Sequence, residues 1–268
     1  MKAAELTRPP VALTIAGSDS GGGAGIQADL KTFHAFGVFG TSAVTAVTVQ
    51  NTVGVTGVQT IDPGIVAAQI HSVMQDLTPA ACKSGMLADA PIVHAVAEAL
   101  SECRIERYVL DPVMVAASGD PLLDPDAVDA LRTELLPLAA LVTPNLDEAS
   151  ILTGMGVASE TEMRRAAEHL VNAGSRAVLI KGGHLEADQI VDVLYDGNEW
   201  LEWRANKLPF GNAHGTGCTL SAAIAAGLAL GHPLNEAVDR GLAYTRRAIA
   251  TAPGLGAGST PLNHWAET

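Results

Sequence analysis

Strand-like and helix-like stretches alternate along this 268-residue chain, and the alternation predicts an α/β fold with a mostly parallel sheet covered on both faces by helices in three αβα layers. Three observations carry the prediction. Short apolar, β-branched runs recur between segments of 3.6-residue periodicity. Hydrophobic residues make up 48% of the chain and aromatics only 4%, with 27 glycines, which suits close packing of helices on a sheet. The glycine-rich and polar clusters each directly follow a predicted strand, where open α/β sheets bind ligands.

Taken in order, Val11 to Ala16 reads as a buried strand, Gly17 to Gly25 as a glycine loop, and Ile26 to Phe36 as a helix ended by Gly37. Thr41 to Val49 is β-branched and apolar and stops at Gln50, before a turn around Gly54 and Gly57. Pro63 opens a helix in which Ile65, Val66, Ile70, Val73 and Met74 keep the helical period. Ala80 to Lys83 is a strand, Pro91 to Leu100 a helix, Tyr108 to Leu110 a strand, Ala127 to Leu136 a helix and Leu141-Val142 a strand. Helices follow over Leu146 to Leu152 and Glu160 to Asn172, then a strand over Arg176 to Ile180. Ile190 to Tyr195 and Glu199 to Arg204 flank Asp196-Gly197-Asn198 as an antiparallel hairpin. A buried helix opens near Gly217, and a last helix runs from Leu234 to Ala250. With no repeat and no linker, residues 1–268 read as one domain, 1–10 being a flexible N-terminus.

A formal net charge of -13 argues against nucleic acid or an anionic membrane as partner, since both require a basic face. The three cysteines are far apart and form no C-x-x-C pair, which suggests neither a disulfide framework nor a zinc site. No apolar run has the length of a signal or membrane segment, so a cytoplasmic protein is expected.

The stretch Gly211-Asn212-Ala213-His214-Gly215-Thr216-Gly217-Cys218-Thr219 leaves backbone amides uncovered just before the apolar run Leu220 to Leu230. A helix N-terminus there offers unpaired N–H groups at the positive end of the macrodipole, a ready seat for phosphate. Cys218 lies in the first turn, a position that lowers a cysteine pKa and suits a base or nucleophile; a buried cap with an inert thiol is the plainer reading. Lys181 closes an apolar strand and precedes two glycines, as a cation that meets phosphate does. Asp111 at a strand end, with Asn145 and Glu148 three apart at a helix start, can hold Mg2+ directly or through water, or serve as an ordinary cap and acidic first turn. The Gln50 amide can pair with a heterocycle edge or merely cap a loop, and Asp29 is a ligand or a dipole-compatible surface residue. His34, His71 and His94 fall on predicted helices without ligand spacing and receive no role.

Gly17 to Phe33 together with His214 to Ile224 is similar to the hydroxymethylpyrimidine/phosphomethylpyrimidine kinases of thiamine biosynthesis, in the ribokinase-like superfamily. Between them Val49 to Thr52, Ser84 to Leu87, Leu110 to Met114, Ser118 to Leu123, Thr143 to Glu148 and Lys181 to His184 follow in the same order. The resemblance implies a ribokinase-like fold and phosphorylation of 4-amino-5-hydroxymethyl-2-methylpyrimidine to its monophosphate and then its diphosphate, with ATP and Mg2+. It implies that Gln50 reads the pyrimidine, that Asp29, Met86, Gly17 and Val113 belong to its pocket, and that Gly215, Thr216, Gly217 and Cys218 form the anion hole. Cys218 stands where related sugar kinases carry an aspartate base. Asn145 and His214 join Lys181 on the nucleotide and phosphate side, Asp111 and Glu148 on the metal, and a homodimer is expected. Gly21 stands where serine is common and Ala117 where many relatives have lysine, which removes a cation near the site.

A pyridoxal or pyridoxine kinase is the nearest alternative, since some share the Gly-Thr-Gly-Cys loop. Gly23-Ala24-Gly25-Ile26-Gln27-Ala28 matches the short form of a dinucleotide fingerprint, but the segment from Asp29 to Asp62 contains no acidic residue between its ends, so an NAD(P) oxidoreductase lacks its ribose carboxylate. A non-catalytic ligand sensor on the same fold is the third reading.

Overall fold

The computed structural model describes residues 8–116, 119, 122–183, 189–208 and 213–268. The expectations placed on Ala117, Ser118, Asp120, Pro121, His184, Gly211 and Asn212 lie outside the described residues.

Among the described residues nine strands form one sheet in the order β3-β2-β1-β4-β5-β6-β7-β8-β9. They are β1 (Val11–Ser18), β2 (Phe39–Gln50), β3 (Val55–Thr60), β4 (Ala81–Ser84), β5 (Tyr108–Leu110), β6 (Leu141–Val142), β7 (Val178–Ile180), β8 (Gln189–Tyr195) and β9 (Trp200–Asn206). The six strands β2, β1, β4, β5, β6 and β7 run parallel, with register pairs such as Leu13↔Thr41, Leu13↔Cys82 and Lys83↔Val109. The β8–β9 hairpin is antiparallel, as the sequence predicts. The turn expected around Gly54 and Gly57 is present at Gly54, where the Asn51 amide donates to the Gly54 carbonyl at 3.2 Å, but Gly57 lies in an antiparallel strand, because β3 pairs with β2 through Val49↔Gly57 and Thr48↔Val58. Its exposed, polar-rich sequence lacks the apolar alternation that marks a half-buried strand. At the start of the sheet the Pro10 carbonyl accepts from the Phe39 amide at 2.8 Å.

One sheet face carries α1 (Gly25–Ala35), α7 (Thr216–Ala229) and α8 (Leu234–Ala250); the other carries α2 (Pro63–Asp76), α3 (Ala90–Glu102), α4 (Pro125–Ala130), α5 (Leu146–Thr153) and α6 (Glu160–Asn172). Two core clusters result, one on each face of the sheet. After α4 the helix runs on through a π turn, Leu131–Leu135, and a 3-10 turn, Leu136–Leu138. A separate pair, β10 (Ala213–His214) and β11 (Thr260–Pro261), runs parallel, so the C-terminal segment braces the loop that enters α7.

From Thr219 to Ala229 every residue of α7 is buried, and its surface is rich in alanine with a glycine, which lets the helix lie close to the sheet and to α8. At Gly227 an added Cβ would stand 3.0 Å from that of Ala237. Gly227→Val therefore overpacks the α7–α8 contact by ~1–3 kcal/mol and lowers the thermal midpoint followed by circular dichroism by several degrees; an unchanged midpoint would show slack between the helices.

Candidate functional site

The carboxyl ends of β1, β2, β4, β5, β6 and β7 open on one edge of the sheet, and a cleft of ≈ 710 Å³ lies across them. The strand order reverses on either side of β1, so the cleft sits at the topological switch point. Gly17, Gln50, Met86, Asp111, Val113, Asn145, Glu148, Lys181, His214 and Gly215 to Cys218 all line it. Asp29 does not; it lies behind the wall, fully buried.

Two helices begin at the cleft. Neither α7, entered through Gly215, nor α1, entered through Ala24, has a side-chain cap on its first amides. Backbone geometry explains the glycines. Gly215 has φ +86 and a Cβ there would collide with the Gly23 carbonyl oxygen; Gly25 has φ +55 and a Cβ would collide with that of Gly17. Gly217 leaves room for a cation, since a Cβ would stand 3.2 Å from Lys181 Nζ. The sequence pointed to the α7 terminus alone; the second, from α1, meets it at Cys218, whose sulfur accepts from the Gly25 amide.

Lys181, directly after β7, donates from Nζ to Asp111 Oδ1 at 3.1 Å and lies 3.7 Å from Glu148 Oε2. Thr143 and Ser221 hydroxyls also donate to Asp111, at 3.2 and 3.1 Å. Burial opposes the ionisation of Asp111, but Lys181 and then Lys83 outweigh it and hold the carboxyl below its ordinary value. Burial pushes Glu148 up to about 7, against the pull of Lys181. Asn145 caps α5 as expected: its side chain accepts from the Glu148 amide at 2.8 Å while Glu148 Oε2 accepts from the Asn145 amide at 2.7 Å. The capping and ligand readings of this pair are thus compatible, since the box aims the Glu148 carboxyl into the cleft.

On the other side, Asp19 accepts from the amides of Gly21, Gly23 and Ala24 at 2.7 to 3.0 Å and pairs with His214 Nε2 at 2.9 Å. His214 thus pairs with the carboxylate that gathers the glycine-loop amides and approaches Gln50. The Gln50 side-chain nitrogen lies 3.3 Å from His214 Nε2, which is already committed to Asp19, so this amide keeps a donor to offer. Met86 packs beside Gly17, where a Cβ would stand 3.0 Å from its sulfur.

Two expectations are corrected. Cys218 is not a low-pKa thiol: burial pushes it up to about 11, because desolvation exceeds the help of Lys83 and of the Gly25 amide while Asp29 and Asp111 add repulsion. Asp29 is neither a surface residue nor a wall of the pocket; it holds Lys83 Nζ through both oxygens, at 3.1 and 3.0 Å, and accepts from Thr14 at 2.6 Å. Lys83, Asp19 and the C-terminal brace were missed. A lone lysine closing the apolar run Ala80-Ala81-Cys82 is the same signal that identified Lys181 and would have found Lys83.

A family model described as phosphomethylpyrimidine kinase matches residues 19–263. A hydroxymethylpyrimidine/phosphomethylpyrimidine kinase of Rhizobium meliloti is 53% identical over 95% of this chain and 97% of its own. The crystal structure of phosphomethylpyrimidine kinase from Clostridium difficile superposes with a TM-score of 0.81 at 42% identity, covering 90% of this chain and 99% of that one. An ADP complex of Bacillus subtilis pyridoxal kinase gives 0.89 at 37% identity, covering 97% and 98%.

Because its folded-state carboxyl titrates above the ordinary glutamate value of about 4.3, Glu148 retains a proton that the unfolded chain has released, and its contribution to stability falls as pH rises from there toward about 7. Glu148→Gln removes that titration. Its thermal midpoint relative to the unchanged protein is expected to be higher at pH 8 than at pH 5; equal differences at both would contradict the raised carboxyl.

Proposed function

The chain belongs to the phosphomethylpyrimidine kinase family, and from that premise we propose that it transfers the terminal phosphoryl group of ATP to 4-amino-5-hydroxymethyl-2-methylpyrimidine, and then a second to the monophosphate. The observation that carries the reading is the convergence of uncapped α1 and α7 N-termini on Cys218 with Lys181 beside them. Phosphoryl transfer needs chiefly positioning and charge neutralisation, and amides with a point cation provide both. ADP bound to a relative of 37% identity supports a nucleotide phosphate donor.

Asp111 and Glu148 would hold Mg2+: two carboxylates face one ammonium, so a further positive charge would be matched there. Among the described residues no three His, Cys, Asp or Glu side chains are arranged to hold a metal, so the ion would keep several waters, as magnesium does. When bound it offsets phosphate charge. Lys181 then orients the transferred group, the Gly215 to Cys218 amides hold its oxygens, and Gln50 pairs with the pyrimidine edge through the donor His214 leaves free. Exposed Val47, Val49 and Val58 on the β2–β3 ribbon support association of two copies.

Pyridoxal kinase is the second reading, favoured by the closer superposition of the Bacillus subtilis enzyme. Incubation with Mg-ATP and either vitamin precursor, with products followed by mass, separates the two: successive mono- and diphosphates of the pyrimidine are expected, and a phosphate on pyridoxal alone would overturn the assignment.

The raised thiol sets a pH dependence. If Cys218 accepts the hydroxyl proton, only its ionised fraction is active, so kcat/KM rises about tenfold per pH unit through the range below about 11, and Cys218→Ala lowers turnover by roughly 10²–10⁴ with KM little changed. A flat profile with an active alanine variant would assign the proton to another acceptor.

A further inference from the structure

Lys83 and Asp29 form an ion pair with no solvent exposure at either side chain, and the reading above gives neither a role. Such a pair is rarely retained for stability alone, since apolar replacements of similar size are often neutral or stabilising. Its surroundings are specific. Lys83 lies one residue before the end of β4, and Gly85 makes room for it, because a Cβ there would lie 2.8 Å from Nζ. Asp29 lies four residues after Gly25, on the same face of α1, and Thr14 of β1 fixes the oxygen that Lys83 also holds. Burial works to raise the Asp29 carboxyl, and Asp29 in turn keeps Lys83 protonated. The charged groups around Cys218 are then Lys83 from β4 and Lys181 after β7, opposed by Asp29 from α1 and Asp111 after β5.

We propose that Lys83 and Asp29 are positioning residues for phosphoryl transfer: their ion pair, with Thr14 on the same carboxylate, holds α1 so that its Gly25 amide stays against the Cys218 sulfur. The inference rests on the kinase reading. In each turnover the thiol first loses its proton to solvent. The hydroxyl oxygen then forms its bond to the transferred phosphorus as the bond to ADP breaks, and the hydroxyl proton returns to sulfur, so one proton is released net. Lys83 touches none of the reacting atoms and acts through Cys218.

The test compares the unchanged protein with the neutral, hydrogen-bonding double variant Asp29→Asn/Lys83→Gln, and with Gly85→Ala, which presses on the ammonium without removing it. The readouts are kcat and KM for the pyrimidine with Mg-ATP, and the rate at which iodoacetamide alkylates Cys218 at pH 8, assigned by peptide mass. The double variant is expected to alkylate about tenfold more slowly, as a thiol ionising one pH unit higher does, and to lose roughly 10–100-fold in kcat with KM within about threefold; Gly85→Ala shifts both in the same direction by less. Unchanged alkylation in either folded variant overturns the proposal, whether kcat holds or falls together with stability. If the unchanged protein does not phosphorylate the pyrimidine, the substrate assignment fails, while alkylation still decides the role of the pair.

Discussion

Amides at a helix N-terminus have no partner within the helix, and here two such termini meet with no side-chain cap on either. Their meeting requires backbone to pass against backbone: Gly215 against the Gly23 carbonyl and Gly25 against that of Gly17, both at positive φ. A side chain at Gly215 would push the entry of α7 off the glycine loop, and one at Gly25 would push the start of α1 off the end of β1. Asp19 stabilises the same junction from the opposite side by gathering three loop amides on one carboxylate, and the β10–β11 pair ties the entry of α7 to the C-terminal segment. A phosphoryl donor brings the negative charge that such a junction suits.

Charges in and behind the cleft are locally paired although the chain as a whole carries -13. Lys181 is set against Asp111 and Glu148, and Lys83 against Asp29. Each lysine sits at the carboxyl end of a buried strand, so each ammonium is placed by the sheet rather than by a mobile loop. Fixed charges in a site shielded from water interact more strongly than at a surface and need no reorganisation when charge moves.

Most of the fold was legible because strand and helix periods differ and the buried strands are largely unbroken by polar residues. The boundaries of β5, β6, α6 and α8 agree with the expected ones to the residue. β3 escaped because its exposed sequence has no apolar pattern, and β10 and β11 because Ala213-His214 and Thr260-Pro261, unlike the buried apolar pair of β6, show none either. In the site, Gly17, Gln50, Met86, Asp111, Asn145, Glu148 and Lys181 were found from their position after a strand, and every one of them lines the cleft. The place of Asp29 and the thiol pKa of Cys218 were misjudged because their surroundings come from distant chain: a partner 54 residues away holds Asp29, and burial, which sequence spacing does not measure, outweighs the helix terminus at Cys218.

The most direct test of the shared phosphate seat is a crystal structure of the chain with Mg-ADP and hydroxymethylpyrimidine. The account predicts the hydroxymethyl oxygen beside the Gly215 to Cys218 amides, the pyrimidine edge on Gln50 and the terminal phosphate of ADP directed at Lys181. A nucleotide whose phosphates point away from the α1–α7 junction, or a pyrimidine bound outside the Gly17–Met86 wall, would contradict it.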